Sequence, residues 1–205
     1  MLRILIYTLA ILCVFAAAIL GYAIWDTTRG PIPGETTRVT GEALVGGPFE
    51  LVNGNGETVT DADFRGEYML IYFGFTYCPD VCPLDLATMS DALDMLDENR
   101  AGNVQPLFIS VDPERDTPEV VGQYVQHFHP RLMGLTGTPE QVAEAADAYR
   151  VYYRKAEVDG ATDYLVDHSS IVYLMGPDGG FLTHFRHGAT AEEMAEGIRR
   201  HIEAG

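Results

Sequence analysis

Residues 68–76, YMLIYFGFT, form a nearly continuous apolar run rich in aromatic side chains and free of charge. Such a run reads as a strand covered on both faces, the kind found inside a parallel sheet. Parallel strands need long crossovers, usually helical, so this run commits the chain to an α/β architecture. Directly after it come Cys78-Pro79-Asp80-Val81-Cys82-Pro83 and then a helical stripe, Leu86, Met89, Leu93 and Leu96. Two cysteines therefore stand at a strand-to-helix corner, four positions apart.

The rest of the chain follows the same grammar. PFELVN, GNG and ETVT read as a hairpin about an Asn-Gly turn. VQPLFISV (104–111) is a second buried strand. Thr117-Pro118-Glu119 and Thr138-Pro139-Glu140 each open a helix with a capping residue and a proline at the first position. The second of these helices is expected to run through QVAEAADAYRVYY. LMGLTG is a further strand. DYLVDHSSIVYLMGPDGGFLTHFR contains a last strand pair about a Gly-Pro-Asp-Gly-Gly turn, and Thr190 caps a final amphipathic helix. Parallel strands joined by helices, a late antiparallel hairpin and an added N-terminal hairpin predict a thioredoxin-like α/β sandwich.

The chain has 205 residues, and its beginning differs from the rest. Ile4–Trp25 carries no charge over 22 residues, with Arg3 before it and Asp26 after it. As a helix it would span roughly 33 Å, enough for a hydrocarbon core of ~30 Å. Tyr22 and Trp25 suit an interfacial anchor. Ala16-Ala17-Ala18 resembles a cleavage site, but the apolar run continues past it, so an uncleaved anchor over residues 1–25 is expected. Residues 26–47, rich in Gly, Thr and Pro, read as a linker. Arg3 favours a cytoplasmic N-terminus, with the domain at 48–205 on the outer, periplasmic side of the inner membrane. Removing Arg3 from the net charge of −17 leaves −18 for residues 26–205, which excludes nucleic acid and anionic membrane surfaces as partners.

Cys13 lies inside the anchor, so Cys78 and Cys82 are the only cysteines of the domain. A disulfide staple, a redox-active pair and a metal site all fit two close thiols. A structural zinc site wants four protein ligands, and no second cysteine pair exists. Copper(I) is soft and is satisfied by three ligands, so two cysteines and a histidine suffice. Of six histidines His168 is the best placed, at the junction into the strand IVYL. From the residues alone, a histidine satisfying a loop hydrogen bond is the more ordinary reading. Asp167 could orient a ligand or cap a turn, and Asp80 could favour a cation or form the turn. His184 and His187 alternate along a strand toward the surface, and His127 and His129 suit a helix end. Asp112, Glu114 and Asp116 make an acidic helix entry.

YFGFTYCPDVCP, SVDPERDTP and DYLVDHSS, in this order, resemble the Sco (SenC-like) copper-binding proteins of respiratory oxidase assembly. The resemblance covers nearly all of the chain after the linker. It implies a thioredoxin-like fold, one N-terminal membrane anchor, and copper(I), with copper(II) also conceivable, held by Cys78, Cys82 and His168. It further implies delivery to the dinuclear copper site of cytochrome c oxidase. The copper-receiving oxidase subunit, other copper chaperones and a thiol reductant are then the expected partners.

Two rivals belong to other classes. A thiol–disulfide oxidoreductase acting on the receiving subunit needs Cys78 and Cys82 as a redox pair but not His168. Its family habit of a proline facing the cysteines is absent from Asp167-His168-Ser169-Ser170. A peroxidase-like enzyme needs a basic activator beside one cysteine, and no Arg or Lys lies between Arg65 and Arg100.

Overall fold

A computed structural model describes residues 45–156 and 164–204. The anchor expected at 1–25 and nearly all of the linker lie outside them. Among the described residues no helix is long and apolar enough to cross a membrane. The last linker residues are laid on the domain. Val45 packs against the core, and Gly46 donates its N–H to the Ala148 carbonyl at 2.9 Å. Gly46 has φ +98°, and a Cβ there would stand 2.5 Å from the Met175 side chain. Only glycine fits.

Nine strands form. They are β1 (Glu50–Asn53), β2 (Thr58–Thr60), β3 (Tyr68–Gly74), β4 (Val104–Ser110), β5 (Met133–Thr136), β6 (Tyr153–Ala156), β7 (Leu165–His168), β8 (Ile171–Met175) and β9 (Phe181–Arg186). The described residues also form five helices, α1 (Val81–Asp94), α2 (Glu98–Gly102), α3 (Pro118–Val125), α4 (Pro139–Ala148) and, after the last strand, α5 (Ala191–Ala204), with a 3-10 turn at Asp61–Phe64. Seven strands make one sheet in the order β2-β1-β5-β4-β3-β8-β9, and β6 and β7 pair only with each other. β3, β4 and β5 are parallel; β8 and β9 complete one edge antiparallel, and on the other side β1 pairs antiparallel with β5 and carries β2 at the edge. This is the thioredoxin-like sandwich the sequence predicts, with its added hairpin extending the sheet.

Every residue of β3 is buried, and in β4 only Gln105 is partly exposed. That central position explains the unbroken apolar run, and each fully buried Leu, Ile or Phe there contributes about 1.5–3 kcal/mol. α1 and α5 pack together, while α3 covers β5 and β1. The cap signals hold. Thr117 and Thr138 accept from the N–H groups of Val120 and Gln141, and Gln141 completes a capping box.

α4 ends earlier than its sequence suggests. Instead of running through Tyr153, it stops at Ala148, and Arg150 adopts φ 57°. The N–H groups of Arg150 and Val151 turn back to the carbonyls of Asp147 and Ala146 at 3.2 and 2.8 Å. This is a Schellman closure with arginine in the place glycine usually takes, so no residue type announces the stop. Tyr153 then begins β6 instead of prolonging the helix.

Candidate metal centre

The corner is built by β3 delivering its C-terminal end to the start of α1. Only Cys82 is helical. Cys78 lies before the helix, in a turn closed by its N–H on the Phe75 carbonyl at 3.2 Å. The two thiols therefore converge through a bend, not through the helical i, i+4 repeat that the spacing suggests. Asp80 occupies the N-cap but makes no side-chain capping bond. The Cys78 sulfur takes that part instead, accepting from the Cys82 N–H at 3.3 Å. Pro83 sits in the first turn, where the N–H it lacks has no intrahelical partner to lose.

Behind the corner, Cys82 is fully buried and Cys78 is half-buried. Gly74 makes the space: a Cβ there would stand 2.9 Å from Cys82 Sγ and 2.9 Å from the Tyr72 ring. The two thiols have opposite tendencies. The Cys82 thiol donating to Cys78, assisted by His168 and the N–H groups of Asp80 and Cys82, lowers the Cys78 pKa far below the ordinary thiol value against the cost of burial. That same interaction, together with burial, raises Cys82. Burial beside Cys82 and Asp85 also pushes the Tyr72 phenol up. A thiolate in front of a protonated thiol is the resting state these contacts favour.

His168 ends β7 and comes from the other side. Its Nε2 lies 3.3 Å from Cys82 Sγ, and its Nδ1 lies 3.2 Å from the Ser169 carbonyl. A carbonyl only accepts, so Nδ1 is a donor there, and Nε2 is the ring atom that faces the sulfurs. The imidazole stands perpendicular to the rings of Phe75 and Tyr72, at 5.7 and 6.1 Å between centroids. The ligand atoms of Cys78, Cys82 and His168 all lie within 4.8 Å of one another. A metal held by thiolates at ~2.3 Å in a trigonal array needs its donors about 4 Å apart, so small side-chain adjustments suffice. A depression of 250 Å³ opens onto the site, lined by Phe75, Cys78, Pro79, Val81, Leu165 and His168 among others. A larger one of 380 Å³, between the β1–β2 turn and α3, holds none of the three.

The remaining candidates fall outside this cluster. Asp167 is exposed and pairs with Arg154 at 3.7 Å, so the group that orients His168 is the Ser169 carbonyl. His184 stacks on Phe181, and His129 faces Asp94 at 3.6 Å. His187 is half-exposed yet bonded at 2.8 Å to buried Asp85, a partner that strand alternation could not reveal. Asp116 is more than a helix entry. Fully buried, it accepts from the Thr76 N–H at 2.9 Å, the Thr76 hydroxyl at 2.5 Å and the Ser110 hydroxyl at 2.6 Å. It thereby pins the chain two residues before Cys78.

Comparison with known proteins agrees with this geometry. The SCO1/SenC family profile matches residues 37–203. The mitochondrial SCO1 homolog of Homo sapiens is 49% identical over 169 residues, which are 82% of this chain but 56% of that protein. The chain thus spans little more than half of that relative's length. Among solved structures, Arabidopsis thaliana ScoI with copper bound superposes with a TM-score of 0.74 at 44% identity, covering 78% of this chain and 99% of the other. BsSco, a member of the Sco family of cytochrome c oxidase assembly proteins with an identified disulfide switch, gives 0.59 at 27% identity, covering 75% and 91%.

Proposed function

The chain belongs to the SCO1/SenC family, and from that membership we propose that it is a copper chaperone of respiratory oxidase assembly. Its cargo is copper(I), held by Cys78, Cys82 and His168 and passed to the dinuclear copper site of a cytochrome c oxidase. The observation that carries this reading is the convergence of two sulfurs and one imidazole nitrogen within 4.8 Å, a soft three-donor set suited to that ion. Cys78 is already biased toward thiolate, and loading releases the Cys82 proton. With Cys78 accessible from the depression, an incoming ligand of the recipient can bind before a donor ligand leaves. The Ile4–Trp25 segment would anchor the domain on the outer face of the inner membrane, beside its recipient.

The test is copper(I) binding by the reduced full chain in competition with a chelator. Wild type should bind one equivalent. His168→Ala should bind roughly 100-fold more weakly or worse, since losing a ligand exceeds the 10–100-fold cost of losing an outer partner. Equal affinity in a folded His168→Ala variant would dismiss the three-ligand site.

A second reading is favoured by the asymmetry of the pair and by the disulfide switch of BsSco. In it the Cys78 thiolate attacks a disulfide of the recipient, forming a mixed disulfide and expelling one recipient thiolate. Cys82, once deprotonated, attacks Cys78 Sγ and expels the second. The recipient gains two electrons, and Cys78 and Cys82 end as a disulfide. The groups that lower Cys78 are a thiol, an imidazole and peptide N–H groups, with no guanidinium among them, which disfavours peroxidase chemistry.

A further inference from the structure

The two halves of the site come from separate structures. The cysteines follow β3 of the main sheet, in the turn and first turn of α1, whereas His168 ends a two-stranded hairpin that, among the described residues, shares no ladder with that sheet. An isolated hairpin is marginal in water, and in β6 and β7 the single buried side chain is Val166. Its end is tied to the sheet through the short link to β8 at Ile171, and a second hold is needed to fix the hairpin against the cysteines.

Arg115, in the loop after β4, is placed to do so. Its guanidinium carbon lies 3.8 Å from the centre of the Tyr164 ring and 4.8 Å from that of Tyr77. Tyr164 leads directly into β7, the strand of His168, and Tyr77 directly precedes Cys78. Arg115 Nη1 also donates to the Tyr164 carbonyl at 2.9 Å, and Nε pairs with buried Asp112 at 2.5 Å. Asp112 in turn accepts from the Tyr164 hydroxyl at 2.7 Å. The opposite strand is tied to the same loop through Lys155, which pairs with Glu114 at 2.6 Å and lies 4.7 Å over the Tyr164 ring. Arg115 is only 17% exposed, so these contacts are sheltered from water, where cation–ring attraction is strongest.

We propose that Arg115 is a positioning residue for copper capture, a single side chain that bridges Tyr77 and Tyr164 and so holds His168 against the cysteine pair. The proposal rests on Cys78, Cys82 and His168 being one copper site. Lysine would keep the charge but lose the planar fork that bonds the carbonyl and Asp112 together.

The test uses the full chain, with one readout that needs no metal. His168 stands perpendicular to Phe75 and Tyr72, so its ring protons carry ring-current shifts in NMR spectra of the copper-free protein. Arg115→Ala should move those signals toward unstructured values. Its copper(I) affinity should fall to that of His168→Ala within about twofold, and the Arg115→Ala/His168→Ala double variant should be no weaker, because both losses remove the same ligand. Arg115→Lys should give an intermediate ring shift and affinity, and it decides the matter should Arg115→Ala not fold. Unchanged His168 shifts in Arg115→Ala, or copper losses that add in the double variant, would overturn the proposal. If wild type and His168→Ala bind copper equally, the copper reading fails, and the ring shifts still show whether Arg115 positions the imidazole.

Discussion

A hydrogen atom at position 74 decides where Cys82 Sγ can sit. Any Cβ on Gly74 would meet that sulfur at 2.9 Å, the Tyr72 ring at 2.9 Å and the Phe108 ring at 3.0 Å. Two of these are large, fully buried side chains that cannot swing away. Gly74→Ala should therefore displace the sulfur as well as strain the core, at a cost of about 1–3 kcal/mol, as overpacking usually does. Urea unfolding measures the strain, and copper(I) competition measures the sulfur. A destabilised variant that retained wild-type affinity would mean that the space behind Cys82 does not govern its aim. The cysteines are readable from sequence because spacing and a strand-to-helix corner are local facts. Gly74, Asp116 and the Ser169 carbonyl are not, because each matters through a neighbour brought in by folding. Nothing about glycine in an apolar run says that a sulfur will lie beside it.

Elements were legible in proportion to how much of their reason is local. The N-termini of α3 and α4 follow from Thr-Pro-Glu alone, and β3 and β4 follow from their length without charge. The hairpin of β6 and β7 escaped because YRKA and LVDH are short, mixed in polarity and mostly exposed, and because left-handed Arg150 ends α4 unannounced. The caps also make a pH prediction. Glu119 and Glu192, in the first turns of α3 and α5, are held below the ordinary glutamate pKa by hydrogen bonds from the peptide N–H groups and from Thr117 and Thr190. A carboxylate whose folded pKa is depressed adds stability above its unfolded pKa and loses it as pH falls through the folded one. Both groups are fully exposed, so salt should weaken the effect. Glu119→Gln/Glu192→Gln should thus be less stable than wild type in urea at pH 7, with the gap closing as pH drops through about 4. A gap independent of pH would place the contribution in packing rather than charge.

At the scale of the molecule, order along the chain predicted the parallel core and the late hairpin, but not that β1 would pair with β5. That pairing joins residues some eighty positions apart, which no local pattern encodes. The same long reach shapes the site, since Cys82 and His168 are separated by 86 positions and by the boundary between the main sheet and the β6–β7 hairpin. Copper bound by all three residues would act as a cross-link that unfolding must break. A ligand that prefers the native state stabilises it by about 4 kcal/mol at a thousandfold excess over Kd. In a chain of this size each kcal/mol raises Tm by roughly 2–4 °C, so the reduced protein should melt roughly 8–16 °C higher with copper(I) than without it. Residual binding of the metal by cysteines of the unfolded chain sets the rise toward the lower end. In His168→Ala the two sulfurs still lie on one short segment that can keep the ion while the rest unfolds, so most of the rise should vanish. Cys78→Ser/Cys82→Ser should show none. A rise as large in His168→Ala as in wild type would mean that the metal is held by the corner alone, with the hairpin no part of its grip.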